Sequence, residues 1–299
     1  MRSAMTIGVI ATVCSIVVMS VAAQAQSLNQ TLDYYHDVTE TVLNNGRRLI
    51  LPVLTDEQHA VEREIRVRVS PTGDIDAFAR RGTNRRREIL ISSGLTEVLE
   101  WIATSVVLDE SGHKGCLVAY LPYLLNGIVN NSKAVAAGGI PAAVYTPFAF
   151  GSQTRNPCSS ASLAQFTGDK GTAFAKMMDA SIFFFYLHEL GHHVLGHVDS
   201  GDVPLADKRT QEAKADAWAI DTAFKANFDL TVGSPALLLM AGIGGDSLES
   251  ERKSDHPLGI RRAYEMLREA RRILASQHSA SVSEVDAIVD RLARLVPMP

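Results

Sequence analysis

The 299-residue chain is short of several things: aromatic side chains make up 6% of it, cysteines number three, and no long run of charge of one sign occurs. Lys and Arg together (29) nearly balance Asp and Glu (33), for a net charge of -4. That balance excludes a polybasic nucleic-acid binder and a protein held to an anionic membrane by charge alone. A hydrophobic content of 46% excludes a disordered or collagen-like chain. With so few aromatics the core must be mostly aliphatic. No internal repeat and no Pro/Gly/Ser linker divides the chain, so a single domain is the simplest partition. Beyond the first residues no apolar run is long enough to cross a bilayer, since 182–187 and 237–240 are both too short.

The first residues are a different case. Arg2 gives a positive start, 7–21 is an almost unbroken apolar run, and Ala23-Gln24-Ala25 places small residues where a signal peptidase reads. We read 1–25 as a secretory signal cleaved after Ala25, with an uncleaved membrane anchor as the alternative. The mature chain, 26–299, is then exported, periplasmic or secreted. Cleavage removes Cys14 and leaves Cys116 and Cys158, which an oxidising compartment would join as a disulfide.

Helical periodicity marks 28–43 and 95–108. Charged and aliphatic residues alternate over 64–70 up to the turn Pro71-Thr72-Gly73, the signature of a half-buried strand, and 75–79 and 88–92 read as two more. The arginines between 80 and 87 read as a solvated hairpin tip. Residues 109–171, rich in Gly, Ser, Asn, Pro and Ala, show no sustained period and read as a loop-rich insertion. Helices follow at 172–197, apolar on a broad surface, and at 209–228, 257–277 and 281–295.

The chemistry lies in the first of these. His188-Glu189-Leu190-Gly191-His192 is H-E-x-x-H, and residues four apart share a helix face, so both imidazoles can hold one cation with Glu189 beside them. Two histidines and a carboxylate on so apolar a helix need a cation to justify their burial. A catalytic zinc takes three protein ligands and leaves one position open. The pattern H-E-x-x-H-x-x-G-x-x-H fails, because it puts Leu195 at the glycine and Val198 at the last histidine. Glu212-Ala213-Lys214-Ala215-Asp216, twenty residues after His192, supplies Glu212 as third ligand and Asp216 to accept the free ring N–H of a ligand histidine. His193 and His197 read as helix surface and packing.

This arrangement resembles the gluzincin metallopeptidases, within them the group containing the heat-shock membrane protease HtpX, the CAAX prenyl proteases and related periplasmic chaperone-proteases. His188 to His192 with His197 is similar to that group's H-E-x-x-H-x-x-x-x-H, and Glu212 to Asp216 to its E-x-x-A-D helix. Asp76-Ala77-Phe78-Ala79, followed by Ile89 to Leu95, resembles its N-A-F-A strand and the next strand, with Asp76 in place of Asn. His256-Pro257 with Arg262 resembles its H-P-x-x-x-x-R element. The 109–171 segment has no counterpart there.

The resemblance implies an α+β, zincin-like domain with a small β-sheet, an H-E-x-x-H helix and a helical C-terminal part. It implies one Zn2+ per chain and peptide-bond hydrolysis, with Glu189 as base then acid, and His256 and Arg262 as donors to the developing oxyanion. Asp76 to Ala79 would pair with an extended substrate, and unfolded or misassembled envelope proteins would be the partners. A non-catalytic or latent zinc-binding, chaperone-like protein is the alternative, the latent form having the 109–171 insertion occupy the open metal position through a side chain such as His113.

Overall fold

The computed structural model describes residues 28–153, 156–159, 163–230, 233–243, 248–277, 279, 282–294 and 296. The expected signal segment, 1–25, lies outside them. Helix α1 (Leu28–Ile50) lays Leu32, Tyr35, Val38, Val42 and Leu43 into the core. A capping box then starts α2 (Asp56–Glu64): the Thr55 hydroxyl accepts from Gln58 N while the Gln58 side chain accepts from Thr55 N. The buried Glu62 carboxylate is satisfied by the Arg47 guanidinium, Nε at 2.7 Å.

Three strands follow, β1 (Ile65–Ser70), β2 (Ala77–Arg81) and β3 (Arg87–Ser92), in the order β1-β3-β2. β3 runs parallel to β1 and antiparallel to β2, with Val67 and Ala79 both opposite Ile89. One face carries the buried Ile65, Ile89 and Ile91 toward the helices, so a one-residue slip would expose all three. β2 stands at the sheet edge, with β3 its only strand neighbour among the described residues.

β3 passes directly into α3 (Ser93–Glu110), apolar nearly all round and therefore buried. Ser92 is the hinge: its Oγ accepts from Leu95 N at the helix start and donates to the Asp74 carbonyl at 2.6 Å. Gly94 is required here, because a Cβ would lie 2.4 Å from the Asp74 carbonyl oxygen. Thr39 and Thr96 share a hydrogen bond of 2.6 Å that ties α1 to α3.

Residues 109–171 are not the loop-rich insertion that composition predicts. They contain α4 (Cys116–Ala136) and α5 (Pro147–Gln153). Gly, Asn and Ser mask a helical period in which Cys116, Tyr120 and Leu124, each four apart, turn the same buried face to the core. Pro122 sits exposed on the opposite side, where the carbonyl it leaves unpaired can meet water. Cys116 and Cys158 are joined by a disulfide.

The longest helix, α6 (Gly168–Val194), is the axis of the domain, with Phe174, Met178, Phe183, Tyr186, Leu187 and Leu190 all buried. Helices α7 (Leu205–Lys225), α8 (Ser234–Ile243), α9 (Leu248–Arg252), α10 (Gly259–Ser276) and α11 (Val282–Ala293) complete the C-terminal part. The whole is mostly helical with a small mixed sheet, an α+β arrangement.

Candidate metal centre

α6 and α7 can approach closely because the residues between them are small. A Cβ on Gly191 would stand 3.2 Å from the Trp218 ring and 3.3 Å from the Ala215 carbonyl oxygen. This contact brings Glu212, one turn before Ala215, across to the two histidines of α6. His188, His192 and Glu212 each offer a ligand atom, all within 4.8 Å of one another. His188 Nε2 and His192 Nε2 are 3.1 Å apart, and Glu212 oxygens lie 3.3 and 3.2 Å from them. Two donors at about 2.0–2.1 Å from a shared ion in tetrahedral array are about 3.3 Å apart.

The donor set therefore fits a metal ion. Glu212 Oε2 is buried, with His256 Nδ1 2.9 Å, His188 Nε2 3.3 Å and an Arg262 nitrogen 3.5 Å away, none of them in good hydrogen-bond alignment. The surrounding histidines hold the Glu212 carboxyl well below the usual carboxylate range against its burial.

The free ring nitrogens have partners. Asp216, one turn after Glu212, accepts from His188 Nδ1 at 2.8 Å, which fixes the tautomer that frees Nε2 for a metal. His192 Nδ1 lies 3.1 Å from His197 Nδ1. His197 is thus a support of the site and not plain surface, a correction to its sequence reading. Burial, with His192 beside it, pushes the His197 imidazole down to about 4, so it stays neutral next to the His192 ring. His193 faces the other way: its Nε2 donates to the Glu88 carbonyl at 3.0 Å and fastens α6 to β3.

Glu189 is 7% exposed, its Oε1 4.0 Å from His188 Nε2, and the Ala79 N–H of β2 donates to its carboxylate. Burial pushes this carboxyl up, partly offset by His188 and His192. Asp76 and Ala77 continue along β2 into a cleft of about 410 Å³ that also reaches Phe185, Met240 and His256. Phe78 points to the opposite sheet face, where the Arg80 guanidinium stacks on it at 5.1 Å.

Arg262 differs from what the resemblance implies. Its fork is committed to Asp216, Nε at 2.9 Å and the terminal nitrogen at 2.8 Å, with Glu212 3.5 Å from the other nitrogen. It lines the cleft, but its main bond pins the carboxylate that orients His188. His256 is half exposed and lies on the cleft wall. The latent arrangement is not seen either. None of the described residues between 109 and 171 lines the cleft, and His113 instead contacts Gln165, because it sits at the turn joining α3 to α4.

Sequence reasoning gave His197 no part in the site and missed the roles of Gly191 and Asp199. The Gly191 signal was present as the small residue inside H-E-x-x-H facing Ala215, whereas Asp199, which pairs with Arg81 at 2.7 Å and Arg87 at 3.0 Å, carries no local signature.

Residues 148–279 match the family model described as Peptidase U49. No curated protein and no solved structure matches the chain. The matched segment contains α6, α7 and the stretch from His256 to Arg262, so the likeness to a peptidase family falls on the residues that build the site, and it supports a proteolytic function.

Proposed function

We propose that the chain is a zinc-dependent endopeptidase of gluzincin type, with His188, His192 and Glu212 as metal ligands. The observation that carries this reading is the meeting of those three donors next to Glu189, which with His188 lines an open cleft. Zinc bound there would acidify a water and polarise the scissile carbonyl. Glu189, whose carboxyl burial raises above its ordinary value, takes a proton from the attacking water as its oxygen bonds to the carbonyl carbon. When the C–N bond breaks, Glu189 returns that proton to the leaving nitrogen. His256 faces the cleft as a donor to the developing oxyanion. Arg262 acts through Asp216 and is a positioning residue. β2, with its free edge along the cleft, pairs with an extended substrate backbone.

An exported location and unfolded envelope proteins as substrates complete the proposal, on the strength of the N-terminal sequence and the family resemblance. Metal analysis of the purified chain tests the ligand assignment. Wild type should hold one zinc and Glu212→Gln should lose it to a mild chelator. Equal zinc retention by both proteins would remove Glu212 from the site.

A further inference from the structure

A second recess lies at the end of the sheet where β1 and β3 begin and β2 ends. It is about 580 Å³ and is lined by Arg63, Arg66, Arg81, Arg85, Arg86 and Arg87, with Glu64 the one carboxylate in its wall. Asp199 binds Arg81 and Arg87, and Glu64 reaches Arg87 at 3.5 Å. Arg63, Arg66, Arg85 and Arg86 are exposed and form no ion pair with a carboxylate among the described residues. Four unmatched guanidinium groups around one hollow, in a chain of net charge -4, are a concentrated positive field.

The recess is placed on the path of a bound chain. The Ala79 N–H meets Glu189, and Arg81, two residues further on, ends β2 at the recess. A peptide added antiparallel to β2 runs opposite to it, so residues N-terminal to the cleaved bond travel toward Arg81. At about 3.4 Å per residue the recess is reached about three to five residues before the scissile bond.

The geometry points to an acidic-segment subsite: the recess receives Asp or Glu side chains of the substrate, about three to five residues N-terminal to the cleaved bond, on Arg85 and Arg86 of the hairpin tip beside β2, while Arg63 and Arg66, across the sheet at β1, add to the positive field. This deepens the peptidase reading and rests on it. Arginine is suited to the task because its planar fork pairs with a carboxylate through two parallel hydrogen bonds.

The experiment uses three quenched fluorescent peptides of one composition class: an Asp/Glu triplet before the cleavage site, the same triplet after it, and Gln in its place. In wild type the first should have kcat/KM about fivefold to tenfold above the Gln peptide, chiefly through KM, because two exposed ion pairs yield no more. In the double variant Arg85→Gln with Arg86→Gln that ratio should collapse, and 0.5 M salt should erase it in wild type. Equal ratios in wild type and variant, or preference for the triplet after the site, would overturn the subsite. Fluorescence anisotropy of the labelled acidic peptide on Glu189→Gln protein, with and without the two arginine changes, separates this inference from the peptidase reading. Arginine-dependent binding without cleavage of any peptide by wild type would keep acidic-segment binding at the recess but defeat the peptidase and with it the placing relative to a cleaved bond. Binding indifferent to the arginines would defeat the subsite whatever the activity.

Discussion

Asp216 and Arg262 offer a way to separate what holds the fold from what holds the metal. Asp216 is 4% exposed and is shared between the Arg262 fork and His188 Nδ1. Asp216→Asn keeps the shape but leaves the buried guanidinium with only Glu212, 3.5 Å away. Stranding a buried charge costs about 3–5 kcal/mol, and the retained amide places this case near the lower end. Urea unfolding of the metal-free protein should therefore show about 3 kcal/mol lost. The double variant Asp216→Leu with Arg262→Met removes both charges together, so stability should return to within about 1 kcal/mol of wild type. Zinc affinity should not return. His188 then has no acceptor for its ring N–H, and loss of such a partner weakens metal binding about 10- to 100-fold. A competing chromophoric chelator reads this directly. A double variant as unstable as the single one, or one that binds zinc like wild type, would refute the reasoning.

Gly191→Val should push α7 from α6 against Trp218 and Ala215, costing about 1–3 kcal/mol and lowering zinc affinity in the same chelator titration; unchanged affinity would mean that the helix contact does not place Glu212. Replacing Cys116 and Cys158 by Ala frees two residues 42 apart in sequence, so thermal or urea unfolding should show about 2–4 kcal/mol lost, and no loss would contradict a structural disulfide. Burial lifts the Glu100 carboxyl to about 7 despite its hydrogen bond with Tyr35, and Glu97 on the same helix adds to the rise. The folded chain therefore holds this proton more tightly than the unfolded one, whose carboxyl titrates near about 4.3. Stability from this site is complete below that pH and is lost as pH rises through about 7. Glu100→Gln should thus gain on wild type by a few kcal/mol between pH 5 and 9, and a pH-independent difference would contradict the burial argument.

The parts of this molecule legible in the sequence are those with short-range signatures. The alternation in 64–70 gave a strand, H-E-x-x-H gave a metal pair on one helix face, and the four-residue spacing of Glu212 and Asp216 placed a carboxylate on each side of His188. Composition misleads here where period does not: Cys116, Tyr120 and Leu124 carry a helical repeat in a largely aliphatic stretch that lies between Gly-, Ser- and Pro-containing segments. Thr55-x-x-Gln58 announced α2, a capping box passed over because the helix behind it is short and polar. What no local pattern contains is partnership over long separations. Arg262 belongs to Asp216 and Arg81 to Asp199 because of how helices and sheet come together, and neither pairing leaves a trace in the residues beside it.

Casein hydrolysis by the zinc-loaded protein, beside Glu189→Gln carrying the same amount of zinc, puts the central claim to its most direct test. The account predicts cleavage by wild type that falls by several orders of magnitude in the variant, since the metal stays while the proton acceptor is gone. Equal cleavage by both proteins, or none by wild type with one zinc bound per chain, would contradict it.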